Sequence, residues 1–226
     1  MPFYNIQAVL TKRQTLFYIF LFSFINPVFS QDLNWVSGFG VINSLPGNAG
    51  TTEGVQVEVD NNGNTFVAGY FSGTVDFDPG VGVETLQTNG YYYDAFLCKY
   101  DSSGNYLWTK RFGSTDHDRI LGLEINADGS LIIVGEFQET VDFDPGAGVS
   151  NLTCAGSWSN YPDIFILKLG NNGTFNWVKR FGNSDWETVK DMEIDNNGNI
   201  LLVGSFYGNV DFDPGPLHHQ IINQND

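Results

Sequence analysis

Three groups of side chains in this 226-residue chain recur or cluster in ways that could do chemistry. The first group is aspartates. The hexapeptide Val-Asp-Phe-Asp-Pro-Gly occurs at 75–80, 141–146 and 210–215, and places Asp76 with Asp78, Asp142 with Asp144, and Asp211 with Asp213. Several carboxylate oxygens close together are what a hard cation such as calcium takes as ligands. The spacing is not that of an EF-hand loop, however. A structural reading stands beside the metal reading: Phe77, Phe143 and Phe212 anchor a strand end, the flanking carboxylates cap turn N–H groups, and the proline fixes the turn. The second group is Tyr91, Tyr92, Tyr93, His117, Trp158, Tyr161 and Trp186, all in connecting segments. Exposed rings stack on the apolar faces of sugars or of a protein partner; the alternative is that each ring packs over its own loop. The third is Glu58, Glu124 and Glu193, one per repeat.

Catalysis finds little support. There is no Gly-x-Ser-x-Gly elbow and no phosphate loop. His117, His218 and His219 lack the spacing of zinc ligands. Paired carboxylates can hydrolyse glycosides, but these recur once per repeat, whereas a catalytic pair is needed once. No catalytic residue is assigned. The charge balance, 10 Lys+Arg against 26 Asp+Glu, argues against a nucleic-acid partner, because phosphates need a basic surface. At 42% hydrophobic and 15% aromatic residues, the chain is too apolar to be a disordered acidic segment.

The elements that hold these residues are set by an internal repeat. The three hexapeptides are spaced by 66 and 69 residues, and the turns at 60–64, 126–130 and 195–199 keep the same spacings. Trp-Thr-Lys-Arg-Phe-Gly at 108–113 returns as Trp-Val-Lys-Arg-Phe-Gly at 177–182, with a degenerate forerunner at 35–40. Each unit reads as four strands: A (55–59, 121–125, 190–194), B (65–71, 131–137, 200–206), C (94–100, 163–169) and D (106–112, 175–181). Glycine stands fourth in the A–B and C–D turns (Gly63, Gly129, Gly198; Gly104, Gly173), which suits a type I turn followed by a left-handed residue. Four-stranded antiparallel sheets repeated along a chain predict an all-β fold, a β-propeller with an incomplete ring of two full blades and partial ones. The expected layout is a lone outer strand at 31–40, blades at 54–113 and 120–182, and a truncated blade at 189–226. A string of sandwiches would need about seven strands per unit.

Length differences between copies fall in the B–C and D–A connections, which share one face of a propeller. Variable loops on a rigid scaffold are where binding usually resides. Lys99, Lys110, Arg111, Lys168, Lys179 and Arg180 recur on strands C and D and are expected toward the outer rim; the three glutamates are expected to line a central channel.

The pattern GNxxxVGxFxGxVDFDPG followed by DxFxxKxxxxGNxxW resembles the SBBP-type β-propeller repeats of secreted bacterial proteins, over about 35–215. That resemblance implies an extracellular or surface propeller, often part of a longer chain that supplies the missing blades, and carries no common catalytic set. The first thirty residues agree. Lys12 and Arg13 precede the apolar run 16–25, and Val28-Phe29-Ser30 offers a cleavage site before Gln31, the plan of a secretory signal peptide. Removing it leaves eight of the ten bases and no membrane span. Cys98 and Cys154 are not at equivalent positions and read as two free thiols, with a disulfide as the alternative. The function expected is a secreted or surface scaffold that binds a glycan or protein through its B–C and D–A loops, without a cofactor unless calcium is one. The alternative is a propeller attached to an extracellular polysaccharide-degrading enzyme.

Overall fold

The computed structural model describes residues 6–9, 33–38, 40–43, 50–156, 161–212 and 220–222. All its regular elements are strands. Three short ones come first: β1 (Ile6–Val9), β2 (Leu33–Ser37) and β3 (Gly40–Asn43). The first unit holds β4 (Thr51–Val59), β5 (Thr65–Ser72), β6 (Thr74–Asp76), β7 (Thr85–Gln87), β8 (Asp94–Tyr100) and β9 (Tyr106–Phe112). The second repeats it as β10 (Arg119–Ile125), β11 (Leu131–Phe137), β12 (Thr140–Asp142), β13 (Asn151–Thr153), β14 (Asp163–Leu169) and β15 (Phe175–Phe181). The third has β16 (Thr188–Ile194), β17 (Ile200–Ser205), β18 (Asn209–Asp211) and β19 (Gln220–Ile222).

Two four-stranded antiparallel sheets follow chain order, β4-β5-β8-β9 and β10-β11-β14-β15; the third unit gives the pair β16-β17. The turns form as their glycines require. Gly63, Gly104, Gly129, Gly173 and Gly198 all have φ between 78° and 84°, and in each turn the glycine N–H donates to the carbonyl three residues back. The aspartate that opens the first turn, Asp60, also accepts from the N–H groups of Asn62 and Asn64, each at 2.9 Å.

Three features depart from the sequence reading. The A strands begin earlier than expected, because each carries a bulge: pairing shifts at Gly54/Gln56, Ile120/Gly122 and Val189/Asp191. The B–C connection is not a plain loop. It holds a three-residue hairpin, β6–β7, β12–β13 or β18–β19, built around the hexapeptide and too short to stand out by alternation. The segment read as a lone outer strand is two short strands with partners: β2 pairs in parallel with β1, and β3 joins β6. The break at Gly38 allows the chain to change partners. β1 lies within the expected signal peptide, while the apolar run 16–25 and the cleavage site lie outside the described residues.

Alternation along the B and C strands gives each sheet two apolar faces. Phe66, Ala68, Ala95 and Leu97 of the first sheet pack in one core with Leu131, Ile133, Phe165 and Leu167 of the second. The opposite face of the second sheet, Ile132, Val134, Ile164 and Ile166, packs on Val189 and Met192 of the third unit. The units therefore stack face to face. A leading buried aspartate joins strands within each sheet: Asp94 accepts from Arg111 at 2.9 Å, and Asp163 from Arg180 at 2.8 Å.

One expectation is corrected here. Lys99 does not reach the outer rim but is buried between units. It lies 4.7 Å from the centroid of the Phe66 ring, and its Nζ donates to the carbonyl oxygen of Asn171 at 3.1 Å and to Asn171 Oδ1. Asn171 Nδ2 donates in turn to Asp60 Oδ2 and to the Gly129 carbonyl, both at 3.3 Å. The β8 face turned toward the second unit points this lysine into the contact, where the carbonyl and Asp60, 3.8 Å away, compensate its lost hydration.

Buried acids give the fold a definite response to pH. Asp118 lies between units and accepts from Ser114 N at 2.6 Å, Ser114 Oγ at 2.9 Å and Gln138 N at 3.0 Å. Burial outweighs those donors and pushes its carboxyl up to about 8; burial raises Glu187, at the equivalent position, to about 7 and Asp94 to about 6. A carboxyl whose pKa is raised on folding binds its proton more tightly in the native state. Its stabilising effect is full below the unfolded value of about 4 and is lost as pH climbs through the folded value. Hydrogen bonds hold Asp128, Asp101 and Asp195 below the usual carboxylate range, with the opposite sign: their contribution disappears as pH falls below about 4. Stability should therefore peak near pH 5 and decline steadily toward pH 8.5. Thermal melts across that range check this; a flat or rising profile would contradict it.

Candidate ligand-binding site

The hexapeptide acids are engaged with their own loops. Asp76 Oδ1 accepts from Asp78 N at 3.1 Å and Glu84 N at 2.9 Å, and Asp78 Oδ1 accepts from Gly80 N at 2.7 Å. Asp142 and Asp144 repeat this with Asp144 N, Ser150 N and Gly146 N at 3.0, 2.8 and 2.8 Å. Phe77 and Phe143 between them are fully buried. Asp211 ends β18, and Asp213 lies outside the described residues. Among the described residues no three His, Cys, Asp or Glu side chains are gathered as a metal would need. Cys98 and Cys154 are both free thiols; Cys98 Sγ accepts from Thr109 Oγ1, and Cys154 Sγ donates to the Tyr161 carbonyl.

The three glutamates interact electrostatically without forming such a group. Glu58, Glu124 and Glu193 sit on β4, β10 and β16. Burial, together with Glu124 and Glu193, raises Glu58; burial, Glu193 and Asp191 raise Glu124. A polar cavity of about 170 Å³ lies beside Gln56, Glu124, Lys190, Asp191 and Glu193.

The aromatic residues gather at the seam between the first two units. The B–C loop of the first unit meets the D–A loop leading into the second: Asp118 N donates to the Tyr93 carbonyl at 2.8 Å, and Asn89 Nδ2 to the Gly113 carbonyl at 2.9 Å. These ties bring the His117 ring to 4.4 Å from Tyr92 and 5.3 Å from Tyr93, centroid to centroid. Tyr93 stands edge-on to Tyr70 of β5 at 5.1 Å. The guanidinium of Arg119, at the start of β10, lies 5.2 Å from the Tyr70 ring and 5.3 Å from Tyr93, within cation–π range. The result is a continuous stack from the seam to the surface. It ends in exposed Tyr92, 47% accessible, with Tyr91, 64% accessible, beside it in the chain.

The electrostatics suit recognition of neutral or polar groups. Burial and then Arg119 lower the His117 pKa, so the imidazole is neutral near pH 7. Its Nδ1 and the Arg119 Nε are buried without hydrogen-bond partners. Burial and the Glu53 carboxylate push the Tyr70 hydroxyl up to about 12, so it remains a donor.

Tyr161 and Trp186 do not join this stack. They occupy the repeat positions of Tyr92 and His117 in later units, and Trp186 pairs with Tyr207 at 6.0 Å across the next seam. Trp158 lies outside the described residues. Sequence reasoning missed Tyr70, Arg119 and Glu139. Each leaves a signal in the register: Tyr70 aligns with Glu136 and Ser205, and Arg119 with Glu53 and Thr188. Glu139 takes φ 55° where the other units place Gly73 and Gly208 in the same left-handed region, and its carboxylate accepts from Thr115 Oγ1 at 2.6 Å. A non-glycine residue held there costs about 1 kcal/mol or more and tends to mark functional surfaces.

Fold and seam together define an all-β repeat protein whose distinctive side chains lie where units meet. No family model matches the chain. Over 182 residues it is 25% identical to the uncharacterized WD repeat-containing protein L264 of Acanthamoeba polyphaga mimivirus, covering 72% of this chain and 13% of that protein. Over 112 residues it is 26% identical to the regulatory protein FlaEY of Caulobacter vibrioides, covering 50% of this chain and 11% of that protein. The likeness to a WD-repeat protein is weak. Among the described residues no helix is long and apolar enough to cross a membrane.

Proposed function

We propose that the chain is part of a β-propeller that serves as a non-catalytic binding scaffold, exported to the cell surface or beyond, with its ligand seated on the Tyr91–Tyr92–His117 surface of the first seam. The WD-repeat likeness supports a scaffold that engages other molecules. The observation that carries the reading is the non-recurrence of the cluster. Residues that hold the units together repeat, whereas Tyr70, Tyr92, Tyr93, His117 and Arg119 form one stack at one seam. The shelf offers flat apolar faces rimmed by a neutral imidazole and hydroxyls, the complement of a saccharide face or of an exposed aromatic or prolyl side chain.

The test is a glycan array and a pull-down with the full chain, alongside Tyr92→Ala and Tyr91→Ala. Both tyrosines are exposed, so the melting temperature should not move. Ligand affinity should drop by about tenfold for Tyr92→Ala, the effect typical of an aromatic hot spot. Retained binding in both variants would move the site elsewhere, and turnover of a polysaccharide by the wild-type chain would replace the scaffold by an enzyme.

A further inference from the structure

A second surface lies on the opposite side of the second unit, away from the tyrosine stack. An apolar cavity of about 330 Å³ opens between that unit and β17, lined by Ile164, Phe181, Leu202, Phe206, Val210 and Phe212 among others. The two preceding units show what such a space holds. In the first, Phe71 and Phe77 meet edge to face at 5.3 Å, and Phe96 of β8 packs on Phe77 at 5.0 Å. In the second, Phe137 and Phe143 meet at 5.5 Å, Phe112 stacks on Phe143 at 6.0 Å, and Phe165 of β14 packs on Phe143 at 4.7 Å. In the third, Phe206 and Phe212 meet at 5.1 Å and Phe181 stacks on Phe212 at 6.4 Å. Every ring of the nest is in place except the one that Phe96 and Phe165 supply from a C strand.

The strand edge beside it is open in the same way. Among the described residues β17 pairs only with β16, whereas β5 and β11 each pair on both sides. Leu202 and Val203 are 40% and 59% exposed, against 0% and 1% for their equivalents Ile133 and Val134. The strand, Ile-Leu-Leu-Val-Gly-Ser, carries no charge and no proline, the devices that usually protect a free edge from pairing. Asp195, in a turn with the same sequence as the one at 60–64, stands where Asp60 meets Lys99 in the first unit.

We infer that this cavity and edge form a docking site for one kind of partner: an extended polypeptide strand with aspartate first, phenylalanine third and lysine sixth. It adds antiparallel to β17, seats its phenylalanine against Phe212 and brings its lysine to Asp195. Main-chain bonds along the edge give affinity and the phenylalanine pocket gives selectivity, the mode of strand addition seen when sheets take up peptides. The Asp94–Lys99 and Asp163–Lys168 strands have this pattern, in the register Phe71↔Asp94 and Phe137↔Asp163; Phe206 would face the incoming aspartate.

The site is tested with a fluorescein-labelled peptide of residues 163–181 added to the full chain and followed by anisotropy. Saturable one-to-one binding is expected. It should weaken about tenfold or more when the peptide carries Phe165→Ala, because a fully buried ring is lost. It should vanish when the protein carries Leu202→Arg, a change at an exposed position that puts a charge into the seat. Equal binding of both peptides would reduce the site to a sticky edge and overturn the inference. So would absent binding, or self-association through β17, seen by sedimentation and abolished by Leu202→Arg, that excess peptide fails to displace.

Discussion

Replacing Phe143 by alanine should lower the melting temperature by roughly 10 °C or more. Its ring is fully buried and touches Phe137 and Phe165 within its own unit and Phe112 from the preceding one. The core around it is shared by both sheets, so neither can close the hole without giving up packing on the other. Truncating a buried phenylalanine costs about 3–5 kcal/mol, and each kcal/mol moves the melting point of a chain this size by about 2–4 °C. The three equivalent positions differ in a telling way. Phe77 is as buried as Phe143 and should follow it closely, whereas Phe212 borders an open cavity and is only half-buried, so Phe212→Ala should cost much less. Equal losses at Phe143 and Phe212 would mean that the third nest is already filled. Calorimetry or circular dichroism on the three variants decides it.

Gly135→Ala should be comparably damaging, for a different reason. A Cβ there would sit 2.0 Å from the Arg119 carbonyl and 2.7 Å from two atoms of the Phe165 ring. The carbonyl belongs to β10 just before its bulge, where the backbone cannot retreat without breaking the ladder. The same approach recurs at Gly69, 1.9 Å from the Glu53 carbonyl, and at Gly204, 2.1 Å from that of Thr188. Overpacking against fixed backbone and a core ring should cost about 3 kcal/mol, near the upper end of the usual range, or about 6–12 °C. The comparison that isolates the effect is Gly129→Ala. That glycine has φ 78°, and a Cβ added to it would meet no atom within 4 Å, so only the left-handed backbone penalty of about 1–2 kcal/mol applies. A Gly135 variant as mild as the Gly129 variant would show that the bulge is not rigid.

The Gly135 contact also shows where sequence reasoning stops. The A, B, C and D strands, their order and the turn type were legible, because glycine at the fourth turn position and aromatic alternation are local signals. The bulge was not. Beside it a carbonyl on one strand comes close to a glycine on its neighbour, and neither residue alone announces it. The hairpins after the B strands were hidden by their length: Thr-Val-Asp is too short to alternate visibly. The buried state of Lys99 was hidden because a lysine on an outer strand is usually solvated, and its hydrogen bonds come from Asn171 of the next unit. At the tyrosine seam the sequence exposed the loop residues Tyr91, Tyr92, Tyr93 and His117 but not the strand residues beneath them. Tyr70 looks like any β-former until its register neighbours, Glu136 and Ser205, are set beside it. Arg119 is the same kind of exception, standing where the other units have glutamate or threonine.

The tyrosine seam takes its rings from one unit and its histidine and arginine from the segment that opens the next. Its arrangement is therefore written in adjacency and belongs to neither unit by itself. Duplicating, deleting or reordering units during evolution would leave every strand and every turn within a unit intact while creating new neighbour pairs, and each new pair would be a new surface. A chain built this way can acquire a different surface by changing the order of its repeats, without altering a residue inside any of them.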